Sequence, residues 1–405
     1  MKLNFSFKIR QTLFWLHLAL GVLAGLVVLV LSATGAVLVL QRPITSLVDR
    51  DLRRLSSSEQ APVSIERLMR EAGASLPASP TALTLYADPA EASVLALGRA
   101  GVVYVDPRSG RVIGEGSRRA RGFFRGVEDW HRWLAATGEW RAAGRAVTGA
   151  STLAFLALTL SGPLLWWPRR WSRAALAPIA LFRRGLRGRA RDFNWHNVIG
   201  IWAAVPLALI AATGVVIAFD WANALVFRLA GEAAPVRAGG PPPDARPGRD
   251  RDAPPRPSST DGLDALFARA QSQVEGWRSI TVRLPLPSKG PVTFTIDRGT
   301  GTRPDLRAQL VLDRTTGDIV RWEPYASQSR GRRWRTWVRW THTGEAGGVV
   351  GQAIAAVASA GAMVLAGTGL ALTWRRFRAG AGCRATAPAA GTLGPGAPEA
   401  LGDNA

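Results

Sequence analysis

Four long apolar stretches divide the chain. They occupy about 12–40, 146–167, 194–219 and 346–374. Each is long enough to cross a bilayer as a helix, which takes about 20 residues. The pattern predicts four transmembrane helices.

The segments between these stretches have mixed patterns. Helical spacing of apolar residues occurs in VSIERLMREAG and in DGLDALFARAQSQVEG. Strand-like runs such as TALTLYA, SITVRLPL and PVTFTID alternate with turn sequences, including DPRSG and DRTTG. The chain is therefore predicted to be a membrane protein, mainly α, in which two small α+β domains lie outside the membrane.

The predicted organisation has eight parts. They are the N-terminus with helix 1 (1–41), the first outer domain (42–145), helix 2 (146–167), a basic loop (168–193), helix 3 (194–219), a linker with the second outer domain (220–345), helix 4 (346–374) and a tail (375–405). The linker sequence GGPPPDARPGRDRDAPPRPSS is predicted to be flexible, and the Ala/Gly/Pro-rich tail to be disordered.

Short motifs recur at matching places in the two halves. At one constant offset, His17 matches His196 and Thr34-Gly35 matches Thr213-Gly214. Ser161-Gly162 matches Thr368-Gly369 at a second offset, and His131 matches His342 at a similar one. These repeats predict a tandem duplication with a pseudo-twofold axis along the membrane normal.

Composition and charge agree with a membrane protein. Hydrophobic residues make up 47% of the chain and charged residues 20%, with a formal net charge of +22. Lys2, Lys8 and Arg10 precede helix 1, and the short loop 168–193 is rich in arginine. By the positive-inside rule both lie in the cytoplasm, which places both termini there and the two domains outside. The single cysteine, Cys383, excludes an internal disulfide.

The four histidines fall into two matched pairs. His17 and His196 begin two outward-going helices, whereas His131 and His342 precede two inward-going ones. Two facing imidazoles are what a six-coordinate haem iron requires. We therefore predict two haem groups, both b-type because no Cys-x-x-Cys-His motif is present. The alternatives are polar anchors at the membrane interface, or a metal ion held without haem, for which two ligands per site are few.

Arginines and tryptophans surround the outer histidines. Arg125, Arg332, Arg333 and Arg335 are candidates to bind haem propionates or to attract an anionic substrate. The alternative is contact with anionic lipid headgroups. The tryptophans are typical of an interfacial aromatic belt.

These features together resemble a known family, the PepSY-associated transmembrane-helix proteins. The resemblance rests on the His-x3-Gly…Ala-Thr-Gly helices at His17 and His196, the segments Trp130-His131 and Trp340-Thr341-His342, the sequence SGPLLWWPRR, and the turns DPRSG and DRTTG. It covers roughly residues 8–378. It implies a multi-pass protein of the bacterial inner membrane, with His17, His131, His196 and His342 as haem ligands.

The resemblance also implies an activity, the reduction of a ferric siderophore or other ferric complex in the periplasm. Electrons would come from a cytoplasmic flavin or nicotinamide reductase, or from quinol, because no GxGxxG motif follows a predicted strand. Outer-sphere electron transfer needs no acid–base residue, and none is nominated. Two other functions stay open at this point. They are a non-catalytic membrane binding or sensor protein, and general electron transfer to a periplasmic protein.

Overall fold

The fold is described from a computed structural model, which covers residues 7–56, 60–168, 172–235 and 260–385, with side chains as far as 378. The predicted flexible linker and the end of the predicted tail lie outside the described residues. The helices are α1 (Phe7–Val39), α2 (Gln41–Val48), α3 (Arg50–Arg53), α4 (Ile65–Gly73), α5 (Arg118–Trp133), α6 (Trp140–Leu165), α7 (Arg173–Ala180), α8 (Gly188–Ala218), α9 (Asp220–Leu229), α10 (Leu263–Ser272), α11 (Arg330–His342) and α12 (Gly348–Ala385).

Four of the described segments are long and apolar enough to cross a membrane: Phe7–Val48, Trp140–Leu165, Gly188–Ala218 and Glu345–Arg378. The helices begin or end several residues away from the predicted limits, because their polar ends still have good helix formers. The fourth continues through Arg375, Arg376 and Arg378 to Ala385, since no proline interrupts the chain before Pro388.

The long helices form a four-helix bundle. Helices α1 and α8 each pack against both α6 and α12, so the two histidine-bearing long helices lie diagonally across the bundle. Small residues allow the close approaches. A Cβ on Gly25 would lie 3.1 Å from the Leu370 side chain, and one on Gly361 would lie 3.1 Å from Ile199.

Two short helices extend the bundle on its sheet side. Helix α2 follows α1 and exposes Ile44 and Leu47, and α9 follows α8 and exposes Trp221 and Leu225. Apolar side chains exposed in this position are typical of helices that lie in a membrane interface.

The segment between α1 and α6 and the segment between α8 and α12 share one antiparallel sheet. Its strands are β1 (Ala82–Tyr86), β2 (Ser93–Ala96), β3 (Val102–Val105), β4 (Val112–Glu115), β5 (Ser279–Arg283), β6 (Pro291–Asp297), β7 (Arg307–Asp313) and β8 (Ile319–Pro324). The strand order is β4-β3-β2-β1-β5-β6-β7-β8. The order is symmetric about the β1–β5 pair, where the hydroxyls of Thr84 and Thr281 are 2.8 Å apart.

The sequence predicts two small α+β domains, and the structure joins the strands of both in one sheet. A four-stranded sheet standing alone would expose both of its edges, and pairing of β1 with β5 removes one edge from each half. Helices α4 and α10 contribute to one common core with both halves of the sheet, including Leu68, Leu83, Leu266 and Phe294. The structure therefore places a single folded platform over one end of the bundle.

Both turns predicted from sequence are present. The glycines that close DPRSG and DRTTG, Gly110 and Gly317, have φ of +73° and +74°. That left-handed conformation favours glycine. The aspartate that opens each turn accepts backbone N–H bonds, at 2.9 Å for Asp106 from Arg108 and at 2.8 Å for Asp313 from Thr315.

Candidate functional site

The structure brings the four histidines together in two pairs. We call His131 and His342 the sheet-side pair, because they lie near the ends of α5 and α11, which lead from the sheet into the bundle. Their imidazole centroids are 6.3 Å apart, and the ring planes make an angle of 55°. We call His17 and His196 the loop-side pair, because they lie on α1 and α8 towards the α6–α8 loop.

The loop-side pair lines a cavity between the long helices. The cavity has a volume of about 520 Å³, and its walls are largely apolar, with Phe14, Leu207 and Leu370 among them. Glycines also line it, including Gly21, Gly200 and Gly369. An apolar cavity of this size with two imidazoles is typical of a cofactor or ligand site.

Each histidine is held in the same way, by a hydroxyl on a neighbouring long helix. The four distances from imidazole Nδ1 to the hydroxyl oxygen are 2.8 Å for His17 to Ser161, 2.9 Å for His131 to Thr34, 3.0 Å for His196 to Thr368 and 3.2 Å for His342 to Thr213. These hydroxyls belong to the Ser-Gly and Thr-Gly motifs that repeat in the sequence. The repeats therefore mark the histidine contacts as well as the helices.

The glycine after each hydroxyl residue gives the imidazole room. A Cβ built on Gly35 would lie 3.4 Å from Cε1 of His131, and one on Gly214 would lie 3.2 Å from Cε1 of His342. The equivalent distances on the loop side are 3.8 Å for Gly162 and 3.4 Å for Gly369. A Cβ would be crowded at Gly214 and would make ordinary van der Waals contact with the imidazole at the other three positions.

The N-termini of α5 and α11 are fixed by acidic residues from the segments that follow α1 and α8. The Asp49 carboxylate is 1% exposed and accepts bonds from the Ser117 backbone N–H at 2.8 Å and from Arg121 at 2.5 Å. The Glu232 carboxylate accepts from the Ser329 hydroxyl at 2.6 Å and from the Gly331 N–H at 3.1 Å. Each histidine helix is therefore anchored at its far end.

The charge on Asp49 is stabilised despite its burial. Burial alone would raise the pKa of this carboxyl, but the hydrogen bonds from Arg121 and from the Ser117 N–H outweigh it, and the pKa lies below its ordinary value. The Tyr104 hydroxyl donates a third bond at 3.1 Å, and its own pKa is raised to about 12, first by burial and then by the Asp49 charge.

Three of the four arginines predicted to bind propionates have protein partners. Arg125 donates to the Arg99 carbonyl, Arg332 pairs with Glu323, and Arg335 Nε donates to Asn223 Oδ1 at 2.6 Å. Arg333 lies half-buried on α11 beside them.

Three arginines that sequence reasoning missed line the loop-side cavity: Arg10, Arg189 and Arg376. The sequence carries a signal for two of them. Arg10 precedes His17, and Arg189 precedes His196, by the same seven residues, or about two helical turns on one face. Arg10 Nε is buried without a protein partner among the described residues.

Within the described residues, no group of three or more His, Cys, Asp or Glu side chains is placed so that it could hold a metal ion. Each pair thus offers two imidazoles and no further protein ligand of those types. Two ligands fit an iron whose other four ligands come from a porphyrin, and they are few for a zinc site.

Replacing Gly214 with alanine should disturb the sheet-side pair. Its Cβ would meet Cε1 of His342 at 3.2 Å and Cγ2 of Thr152 at 3.0 Å. The matched control is Gly367→Ala on α12, because that glycine is exposed and a Cβ there meets nothing within 4 Å. In thermal unfolding, we expect Gly214→Ala to be destabilised by about 1–3 kcal/mol from overpacking. The control should gain up to about 1 kcal/mol from helix propensity. Equal effects of the two substitutions would contradict the close contact.

The comparison with known families agrees with the resemblance drawn from the sequence motifs. No curated protein matches the chain. The family model described as the PepSY-associated TM region matches residues 14–376, a range that includes most of α1 and α12, all of α6 and α8, the sheet and all four histidines. The chain therefore belongs to the PepSY-associated transmembrane family.

Proposed function

We propose that the protein is a di-haem b oxidoreductase of the bacterial inner membrane. It would carry electrons from the cytoplasmic side to the periplasm, reduce a ferric siderophore or other ferric complex there, and release ferrous iron. The observation that carries the proposal is the pairing of all four histidines, each with Nδ1 bound by the protein.

The geometry of the sheet-side pair fits one iron between two imidazoles. Metal–imidazole nitrogen bonds are about 2 Å long. The two imidazole centroids are 6.3 Å apart, so His131 and His342 would be able to hold one iron between them. On the loop side, His17 and His196 both line the 520 Å³ cavity, and this cavity would provide the space for a haem between them.

When bound, each haem supplies a one-electron couple whose potential is set by its axial ligands and surroundings. His17 and His196 would hold one haem, and His131 and His342 the other. The residues of the chain hold and orient these groups and exclude water from them. The apolar walls of the bundle and the sheet over one end would exclude water. The tandem duplication belongs to the same proposal, because it would place like histidines at like depths.

The distribution of positive charge supports the proposed orientation of the protein in the membrane. The loop side carries Lys8 and Arg10 in the first turn of α1, and Arg183, Arg184 and Arg187 before α8. By the positive-inside rule this side is cytoplasmic, as are both termini, and the sheet is periplasmic. The loop-side haem would accept electrons from a flavin or nicotinamide reductase or from quinol. The sheet-side haem would deliver them to the ferric complex.

Arginines on both sides suit anionic groups. Arg10, Arg189 and Arg376 line the loop-side cavity and would bind the propionates of a haem in that cavity. Arg335 precedes His342 by about two helical turns on the same face of α11. Together with Arg125, Arg332 and Arg333 it gives the sheet side a positive field that favours propionates or an anionic ferric chelate.

The test is reoxidation of the reduced protein. The purified protein is reduced with dithionite, freed of excess reductant and mixed with a ferric siderophore, while a ferrous-specific chelator reports released iron. We expect the haem bands to return to the oxidised form as ferrous iron appears. Reoxidation only by a periplasmic protein acceptor would favour general electron transfer. A colourless protein made with sufficient haem would favour the binding or sensor function.

A further inference from the structure

We propose that Thr34, Ser161, Thr213 and Thr368 are positioning residues that fix the tautomer of the histidines. They hold the proton on Nδ1 and leave the Nε2 lone pair pointing away from the helix that carries the hydroxyl. The proton assignment follows from protein contacts alone. Its role towards an iron rests on the proposed function.

The first step follows the hydroxyl proton. A threonine hydroxyl has a single proton to donate. In three of the residues the hydroxyl oxygen lies 2.7 Å from a carbonyl oxygen of the preceding turn. The pairs are Thr34 with Val30, Thr213 with Leu209, and Thr368 with Val364. A hydroxyl that donates to the carbonyl of the preceding turn can only accept from the imidazole. The imidazole Nδ1 must then carry the proton.

The second step uses an acceptor that cannot donate. His342 Nδ1 lies 2.9 Å from the backbone carbonyl oxygen of Ile210, which is three residues before Thr213. A carbonyl oxygen only accepts, so this nitrogen is N–H. Two independent acceptors, the Thr213 hydroxyl and the Ile210 carbonyl, therefore assign the same tautomer to His342.

The fourth ring, that of His17, follows the same pattern, but the hydroxyl beside it has a longer bond to its own helix. His17 Nδ1 is 2.8 Å from Ser161 Oγ, and that hydroxyl lies 3.3 Å from the Leu158 carbonyl. The serine has no γ-methyl group to restrict its rotation, so its backbone bond is the weakest of the four.

The third step concerns the other ring nitrogen. Nε2 lies across the ring from Nδ1, and within the part of the chain that the structure describes it has no protein hydrogen bond at any of the four histidines. When the Nδ1–H of an imidazole is bonded to an acceptor, Nε2 becomes a more basic metal ligand and the ring orientation is fixed. Each Ser/Thr-Gly motif thus supplies an acceptor for Nδ1–H and, through the glycine, space for the ring.

The experiment has two measurements. In haem-free protein labelled with ¹⁵N histidine, NMR shifts report which ring nitrogen is protonated. In haem-loaded protein, a redox titration gives the midpoint potential of each haem. The variants are Thr34→Val, which removes only the hydroxyl, and Thr34→Ser, which restores it. The matched control is Thr152→Val on α6, because among the described residues the hydroxyl of Thr152 bonds within its own helix, at 2.8 Å from the Thr148 carbonyl.

We expect the Nδ1–H tautomer in the wild-type protein. Thr34→Val should raise the potential of one haem, because the ferric state loses an acceptor that strengthens its ligand. The expected shift is up to about tenfold in the one-electron equilibrium, or about 59 mV. Retention of that haem should weaken by about 10- to 100-fold. Thr34→Ser should behave as wild type, as should Thr152→Val.

Two results would overturn the inference. One is an Nε2–H tautomer at His131 in the haem-free protein. The other is a Thr34→Val protein that matches wild type in both haem retention and potential. Absence of haem from the wild-type protein would instead contradict the proposed function, and the NMR measurement would still decide the tautomer.

Discussion

Substitution of His131 by alanine is expected to remove one haem and leave the other spectrally unchanged. The sheet-side rings are 6.3 Å apart, so loss of His131 leaves His342 alone to hold an iron between them. The loop-side pair lies on other helices, α1 and α8, and should keep its haem. Haem content measured against protein should fall from two per chain to one, and the potential of the lost haem should vanish from the titration.

Double variants test the pairing itself. If His131 and His342 share one iron, the double alanine variant should lose the same single haem as either single variant. A variant that combines His131→Ala with His17→Ala crosses the two pairs and should lose both haems. Loss of two haems from the first double variant, or of only one from the second, would show that the pairs are wrongly assigned.

Substitution of Asp49 by alanine is expected to have the largest effect on stability. The carboxylate is 1% exposed and accepts bonds from Arg121, Tyr104 and the Ser117 N–H. Its removal leaves the Arg121 guanidinium, which is 20% exposed, without its ion-pair partner. Breaking a buried pair in this way costs about 3–5 kcal/mol. Thermal unfolding in detergent measures the change, and the sheet-side haem should be lost before the loop-side one.

The matched control is Glu128→Ala on the same helix. Glu128 pairs with Arg132 at 2.9 Å, but both side chains are well exposed, at 41% and 55%. An exposed pair contributes about 0–1 kcal/mol. A similar loss of stability in the two variants would contradict the anchoring role of Asp49.

The depressed pKa of Asp49 also predicts a pH dependence. Because the folded-state pKa lies below the unfolded value, the contribution of Asp49 is fully present above the unfolded pKa of about 3.9. It is lost as the pH falls through the lower, folded value. The stability difference between wild type and Asp49→Ala should therefore be constant near neutral pH and shrink in acid.

The sequence predicts the membrane part of this protein well. Four apolar stretches indicate the four long helices, because length and hydropathy alone define a segment that can cross a bilayer. Matching motifs at a constant offset lead to the prediction of the two histidine pairs. The Ser-Gly and Thr-Gly motifs are visible too, but the sequence does not show that their hydroxyls face histidines.

Other features depend on packing between distant segments. Pairing of β1 with β5 joins residues such as Leu83 and Val282, and nothing local in either strand indicates that partner. The contact of Asp49 with Arg121 likewise links the end of α2 to the first turns of α5. The seven-residue spacing of Arg10 and Arg189 from the histidines could have identified them as site residues. Positive charge near the start of a membrane helix, however, is ordinarily explained by topology.

The most direct test of the central proposal is the number of haems per chain. The protein is purified from cells supplied with haem, and haem is measured as the pyridine haemochrome against an independent protein assay. We expect two haems per chain, both of b-type and both extracted by acidic solvent because no covalent attachment motif is present. A haem-free preparation, or one whose haem survives the loss of all four histidines, would contradict the account.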